Sequence, residues 1–257
     1  MKGLKDQHVV IVGATGTIGT AIAEVFDDEE ARLFLLGLNN RDAMENMQGR
    51  LKHVDAAKMG LDLAVDKNVK ELFESIPVNW EERIDSLVVS SGTNPSAAAV
   101  RDLAIEDWQK TIDVNLTLPF LCVKHALRYM GQGGSIVIIG SIFGIESPAN
   151  RGAYGASKHG LLGLAQTVCR EEGGKGIRIN VICPGPVWGP IVYAIFQKHA
   201  QKTGISVDDY IAQRLSKIPT GRFAEGRDVA GLAAYLCSDG AKYINGQALK
   251  LTGGAVE

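Results

Sequence analysis

The sequence predicts an α/β fold, a single doubly wound domain whose mainly parallel sheet is covered by helices on both faces. Three observations carry this. Short apolar runs recur along the chain: VVIV at 9–12, LFLL at 33–36, LVV at 87–89, IVII at 136–139 and IRINVI at 177–182. They are continuous rather than alternating, as strands buried on both faces are. Between them, 20–30, 66–75, 106–130 and 154–172 have helical spacing, so strand and helix alternate as in repeated βαβ units. No Pro- or Ser-rich linker and no internal repeat interrupts the 257 residues, so one domain over 1–257 is the simplest account.

Composition removes several classes of function. With 46% hydrophobic residues the chain has material for a large core, which argues against disorder. A formal net charge of −2 leaves no basic field for nucleic acid or an anionic membrane. Cys122, Cys169, Cys183 and Cys237 form no C-x-x-C and sit in apolar runs, as small buried hydrophobes in a reducing compartment do. No metal site is expected. The apolar run before Gly13 is too short for a signal peptide, and the run from 136 to 145 is too short and too interrupted to span a bilayer. The expectation is a soluble cytoplasmic protein.

After the first apolar run comes GATGTIG, with Gly13, Gly16 and Gly19. A tight turn needs one glycine, and a phosphate lying against bare backbone needs another. The helix expected from near Thr20 then points its N–H groups and positive dipole end at that phosphate. Glycine clusters mostly mark plain turns, but a position between the first strand and the next helix is what the dinucleotide mechanism requires.

Farther on, GSIFGIESPANRGAYGASK holds Tyr154 and Lys158, four apart, and Ser141, thirteen residues before the tyrosine. Residues four apart share a helix face. A neighbouring ammonium favours the phenolate, bringing a Tyr with a free pKa of about 10 toward proton exchange at neutral pH. Such a group suits the interconversion of carbonyl and alcohol by hydride transfer, and a serine hydroxyl aimed at the carbonyl oxygen stabilises its developing charge. Y-x-x-x-K alone is a common accident of surface helices.

With its context, the chain resembles the classical short-chain dehydrogenase/reductase family nearly end to end. The resemblance rests on Ser141, on YGASKHGLLGL with Tyr154 and Lys158, on Asn115 in DVNLTLPF, on Asp62 in GLDLAVD, on INVICPG with Asn180, Pro184 and Gly185, and on the tail GRFAEGRDVAGLAAYLCSDGAKYINGQALKLTGG. It implies a Rossmann-type domain with a seven-stranded sheet. Residues 1–92 would be mainly the dinucleotide-binding half and 186–221 a substrate lid. It implies Asn115, Ser141, Tyr154 and Lys158 as catalytic, with Asn115 holding a water that links the lysine to solvent. It implies cofactor contacts at Gly13, Thr15, Gly16, Thr17, Ile18 and Gly19 in the turn, at Asp62 and Leu63, at Ser91 and Gly92, at Tyr154 and Lys158, and at Pro184, Gly185 and Val187. Homotetramers or homodimers are also implied.

The chain departs from the family pattern in places. Val12 stands where the family's turn begins with Thr, and the glycines fall as G-x-x-G-x-x-G. VSSG, residues 89–92, replaces the family's N-N-A-G, so Ser90 and Ser91 must brace the sheet or the bracing is lost. Gly189 stands where a Thr often meets the nicotinamide amide, leaving that role to the backbone of Val187. The second strand ends in Gly37 and Leu38 rather than the acid that selects NAD, while Asn39, Asn40 and Arg41 follow. The reading is NADP, by a weak preference, or NAD.

The most individual stretch lies between Pro184 and Arg222. Trp188, Ile191, Val192, Ile195 and Phe196 form one apolar helical stripe, and Ser206 is an N-cap candidate for a second helix. By family analogy Asn94, Pro95, Phe143 and the loop around Asn150 and Arg151 face the same pocket, with Trp188 and Ile191. No charged cluster names a substrate, and Arg151 reads as a solvated loop residue. The functional reading is an NAD(P)-dependent oxidoreductase acting on a secondary alcohol or ketone, with Tyr154 as general acid/base. The alternative is a non-catalytic dinucleotide sensor or scaffold on the same fold, which would have no reason to keep Asn115, Ser141, Tyr154 and Lys158 together.

Overall fold

In the computed structural model, which describes residues 1–37, 40–59, 64–93 and 97–255, seven parallel strands form one sheet in the order β3-β2-β1-β4-β5-β6-β7. They are β1 (His8–Val12), β2 (Arg32–Gly37), β3 (Val54–Met59), β4 (Ile84–Val89), β5 (Met130–Ile139), β6 (Arg178–Pro184) and β7 (Ala248–Leu251). The five apolar runs are the five central strands. Successive residues of each point to opposite faces, and both faces are covered. Val10 and Val12 bury on one side with Phe34, Ile136 and Ile138, while Val9 and Ile11 bury on the other with Leu33, Val137 and Ile139.

Helices α3 (Asp66–Phe73), α5 (Leu118–Ala126) and α6 (Gly152–Glu172) supply Val69, Leu121 and Leu161 to the first face. Helices α1 (Thr17–Asp28), α2 (Arg41–Arg50) and α9 (Gly226–Cys237) supply Ile22, Met44 and Ala233 to the second. Helix α4 (Ile105–Ile112) precedes α5, and α7 (Pro190–Thr203) and α8 (Val207–Leu215) form a separate arm with its own small core of Phe196, Ile218 and Phe223. Ser206 caps α8 as expected, its hydroxyl accepting from the Asp209 N–H at 3.0 Å.

Some local expectations fail for identifiable reasons. Helix α1 starts at Thr17 rather than near Thr20, because extended Gly16 ends the turn without needing a side-chain cap. The single helix expected over 106–130 is broken. A π-helical turn, Asp113–Thr117, separates α4 from α5, and β5 begins at Met130. Pro119 has no N–H to give the carbonyl of Asn115 four residues back, so the regular ladder cannot run through. Edge strands β3 and β7 escape the apolar-run criterion because each is only half covered and carries a lysine, Lys58 and Lys250.

The chain ends its strands β1, β4, β5 and β6 side by side. Sheet order reverses between β1 and β4, and in doubly wound folds the crevice beyond the strand ends at such a switch is where ligands bind. Asn180 ties the far side of the sheet, its amide donating to the Ile244 carbonyl at 2.9 Å and its oxygen accepting from the Gln247 N–H at 3.0 Å.

Candidate active site

A cavity of about 700 Å³ opens at that switch point. One end is formed by Gly16, Thr17 and Ile18, where α1 begins, and the other by the α7–α8 arm. The glycines of the turn have separate tasks. Gly13 has φ +80°, a left-handed conformation that favours glycine, and a Cβ there would stand 2.8 Å from the Ser91 nitrogen. A Cβ on Gly19 would fall 2.1 Å from the Gly13 carbonyl oxygen, so the bare residue lets α1 pack on its own turn. Gly16 is different: a Cβ would meet the Gly13 oxygen at an ordinary 3.5 Å. Packing does not demand glycine there, and the residue lines the cavity at an uncapped helix start. Bare backbone at the N-terminus of a twelve-residue helix suits a phosphate.

Strand β5 delivers Ser141 and α6 delivers Tyr154 and Lys158, all lining the cavity. The Ser141 oxygen accepts from the Phe143 N–H at 3.2 Å, which leaves its own proton to donate outward, and the hydroxyl hydrogen-bonds the Tyr154 phenol. The Tyr154 ring meets Phe143 edge-on at 6.2 Å. Lys158 is 3% exposed, lies 5.8 Å from the Tyr154 ring centre and donates to the Ile139 carbonyl at 3.2 Å.

The expected lysine pull on the phenol is not what sets Tyr154. Burial raises its pKa above 10.0, against the Ser141 hydrogen bond and the Arg151 charge, which favour the phenolate. Burial also depresses Lys158, from 10.5 to about 8. Each group is pushed toward its neutral form because the site removes both from water.

Asn115 stands in the π turn, fully buried. Its side chain clasps the backbone of Thr93, accepting from the N–H at 2.7 Å and donating to the carbonyl at 2.9 Å, and also reaches the Ser157 hydroxyl at 3.3 Å. It thus fixes the loop after β4 against α6. A Cβ on Gly92 would lie 3.4 Å from the Lys158 nitrogen and 3.6 Å from the Asn115 oxygen, so the bare residue lets both side chains crowd under this loop. The bracing expected of Ser90 and Ser91 does not come from their side chains. Both hydroxyls are buried without a hydrogen-bond partner, and both residues line the cavity.

Of the other sequence-predicted positions, Ser91, Gly92, Pro184, Gly185, Val187, Phe143 and Ile191 line the cavity. Gly13, Thr15 and Gly19 are not in its wall, and Gly13 and Gly19 shape the turn. Arg41 is exposed at the start of α2, outside the cavity. Trp188 also stands outside its wall, stacked on Phe223 at 5.3 Å as part of the base of the α7–α8 arm. Asn39, Asp62, Leu63 and Asn94 lie outside the described residues. The sequence reading passed over His199, Tyr210 and Arg214, which line the cavity too. The signal was present. His199 continues the apolar stripe one turn beyond Ile195 and Phe196, and Tyr210 and Arg214, four apart, share a face of α8.

Comparisons against known proteins show the family of the chain. A family profile described as "Enoyl-(Acyl carrier protein) reductase" matches residues 13–256. A short-chain dehydrogenase/reductase of Botryotinia fuckeliana is 30% identical over 256 residues, covering 97% of this chain and 96% of that protein. A 3-oxoacyl-[acyl-carrier-protein] reductase of Thermotoga maritima is 32% identical over 260 residues, covering 98% and 99%. Among solved structures, that of an actinorhodin polyketide ketoreductase variant with NADPH superposes with a TM-score of 0.89 at 26% identity, covering 99% of this chain and 98% of that one. The chain belongs to the short-chain dehydrogenase/reductase family of oxidoreductases, with its Rossmann-type fold. The sensor alternative is not favoured by these relatives.

Proposed function

We propose that the protein interconverts a ketone and a secondary alcohol by hydride exchange with a nicotinamide dinucleotide, with Tyr154 as the proton-transfer group. The observation that carries the reading is the convergence of Ser141, Tyr154 and Lys158 in one cavity with the bare Gly16 at the start of α1. The residues fit a dinucleotide. Gly16 and the uncapped first turn of α1 would take the pyrophosphate, and the orphaned hydroxyls of Ser90 and Ser91 would gain partners along its path. Lys158 would face the ribose next to the reacting ring. When bound and reduced, the nicotinamide supplies a hydride to the carbonyl carbon.

The chain's own residues handle the proton. A phenol held above its ordinary pKa stays protonated at neutral pH, so Tyr154 is set as a donor to the carbonyl oxygen in the reductive direction. Ser141, oriented by the Phe143 N–H, donates a second hydrogen bond to the same oxygen. Lys158 restores the charge balance when the phenol gives up its proton, and Asn115 keeps the loop over the lysine in place.

The cofactor reading leans to NADP. β2 ends in Gly37 rather than a carboxylate, and the Met59 sulfur and a Met44 methyl, 2.4 Å and 2.8 Å from where a Cβ would stand, occupy the space beside it. Arg41 is exposed one residue past Asn40, whose oxygen already caps α2 by accepting from the Ala43 N–H at 3.0 Å.

The test is Tyr154→Phe, which keeps the ring and removes the hydroxyl. Against a panel of ketones and alcohols followed by nicotinamide absorbance, turnover falls by about a hundred- to ten-thousand-fold while cofactor affinity is nearly kept. A variant retaining most of its turnover would remove Tyr154 from the reaction.

A further inference from the structure

Helices α1, α7 and α9 all begin around one residue of the cavity wall. Thr17 opens α1 and lines the cavity beside Gly16, and Gly189, the residue before α7, lines it too. A Cβ on Gly189 would stand 3.0 Å from both the hydroxyl oxygen and the methyl of Thr17. Gly189 is extended, with φ 167° and ψ 176°, a conformation open to any residue, so the contact and not the backbone disfavours a side chain there. Both partners are held. A Cβ on Gly226, the first residue of α9, would lie 2.9 Å from the Thr17 carbonyl oxygen and 2.8 Å from the Ala21 Cβ, so α9 backs α1 closely. The Trp188 N–H donates to the Ala224 carbonyl at 2.7 Å and fixes the chain just before Gly189. Thr17 is nonetheless exposed, and among the described residues its hydroxyl has no hydrogen-bond partner. We propose that the Thr17 hydroxyl is a side-chain ligand of the dinucleotide's phosphate bridge, and that Gly189 is bare so that it can stand there. The inference rests on the dinucleotide reading, since it names a ligand group within that site.

The place of Thr17 decides which part of the ligand it meets. It directly follows Gly16, whose bare backbone at the uncapped start of α1 is where the pyrophosphate would lie. A hydroxyl on the first helical residue stands beside the unpaired N–H groups of that turn and can donate to the same anion. A hydrogen bond to an ionised oxygen is roughly twice as strong as a neutral one. Helix α9 has no such demand, because its start is closed by its own side chains, with Asp228 accepting from the Glu225 N–H at 2.8 Å. The role of Gly189 follows from the shape of threonine. The hydroxyl and the methyl share one Cβ, and a branched side chain is stiff about that bond. A side chain at 189 would press on both groups at once, and with α9 behind the backbone the side chain of Thr17 would have to turn. Gly189 is thus a positioning residue that acts through Thr17.

The experiment titrates the full-length protein by calorimetry with NADH, NADPH, ADP-ribose and 2′-phospho-ADP-ribose, the last two keeping the phosphate bridge without the nicotinamide. Thr17→Val removes the hydroxyl at nearly constant shape. It should bind all four ligands about tenfold more weakly, with a melting temperature near that of the parent. Thr17→Ser keeps the hydroxyl and should bind as the parent does. If Thr17→Val fails to fold, the contrast between Thr17→Ala and Thr17→Ser carries the same test. Gly189→Ala should weaken binding by about threefold or more, and adding Thr17→Ser, which deletes the methyl, should restore most of it. Unchanged affinity in Thr17→Val, or a loss confined to the two full dinucleotides, would overturn the phosphate contact. A Gly189→Ala protein that binds normally, or one that Thr17→Ser does not rescue, would overturn the pairing. In each of those cases the parent still binds, and the dinucleotide reading stands. A parent that binds none of the four ligands would remove that reading, and the inference with it.

Discussion

Lys158 shows what the site asks of a single residue. Its ammonium is almost fully buried, and burial brings its pKa from 10.5 down to about 8. In the window between those values the unfolded chain holds a proton that the folded chain lacks, so this residue makes stability rise with pH there. Below about 8 the penalty of the buried charge is fully present. Lys158→Met should therefore stabilise the fold at pH 7 by on the order of 3 kcal/mol, since each pKa unit corresponds to about 1.4 kcal/mol. The gain should vanish above pH 10.5. Chemical denaturation at both pH values reads it out, and a variant that is less stable at neutral pH would contradict the assignment. On the proposed function, Arg41 is the residue expected to favour NADP. Fluorescence titration should show NADPH binding tighter than NADH by about tenfold, and Arg41→Ala should erase most of that difference. Tighter NADH binding that Arg41→Ala leaves unchanged would place the ribose anchor elsewhere. Residues at this scale differ in legibility. Ser141, Tyr154 and Lys158 could be read because the roles proposed for them impose a spacing along the chain. The clasp of Asn115 on Thr93 could not, because it depends on a contact between two loops that no spacing encodes.

At the scale of elements, the turn between β1 and α1 separates folding from binding. Gly19→Ala forces a methyl into the Gly13 backbone, with its Cβ at 2.1 Å, and should destabilise the protein by at least the ~1–3 kcal/mol of ordinary overpacking. Gly16→Ala meets nothing closer than 3.5 Å, so its melting temperature should stay near that of the parent while dinucleotide affinity falls. Paired melting curves and cofactor titrations check both, and a Gly16→Ala protein that binds normally would remove the phosphate from this turn. The central strands were legible because burial on both faces leaves a continuous apolar run. Strands β3 and β7 lie at the sheet edges, half covered, and their sequences record the edge rather than the strand. The break between α4 and α5 was written in Pro119, but the apolar periodicity on either side of it conceals the widened turn at Asn115.

The whole molecule brings together, beyond the ends of β1, β4, β5 and β6, groups that lie far apart in sequence. The order reversal between β1 and β4 opens the crevice, the glycine turn bounds it on one side, and the α7–α8 arm bounds it on the other. Among the described residues no helix is long and apolar enough to cross a membrane. The sequence foretold this layout through the alternation of strand and helix, but not the place of His199, Tyr210 and Arg214 in the cavity wall. These residues come from α7 and α8 and join the rest of the wall only in the folded chain. On the proposed function, this cavity transfers hydride to a carbonyl rather than merely holding a dinucleotide. The most direct test uses reduced cofactor deuterated at the nicotinamide C4, incubated with the ketone panel, with the alcohol products analysed by mass spectrometry and NMR. One deuterium is expected on the carbinol carbon of at least one product, made by the parent protein and nearly absent with Tyr154→Phe. Tight cofactor binding with no deuterium delivered to any carbonyl would contradict it and leave the protein a dinucleotide sensor.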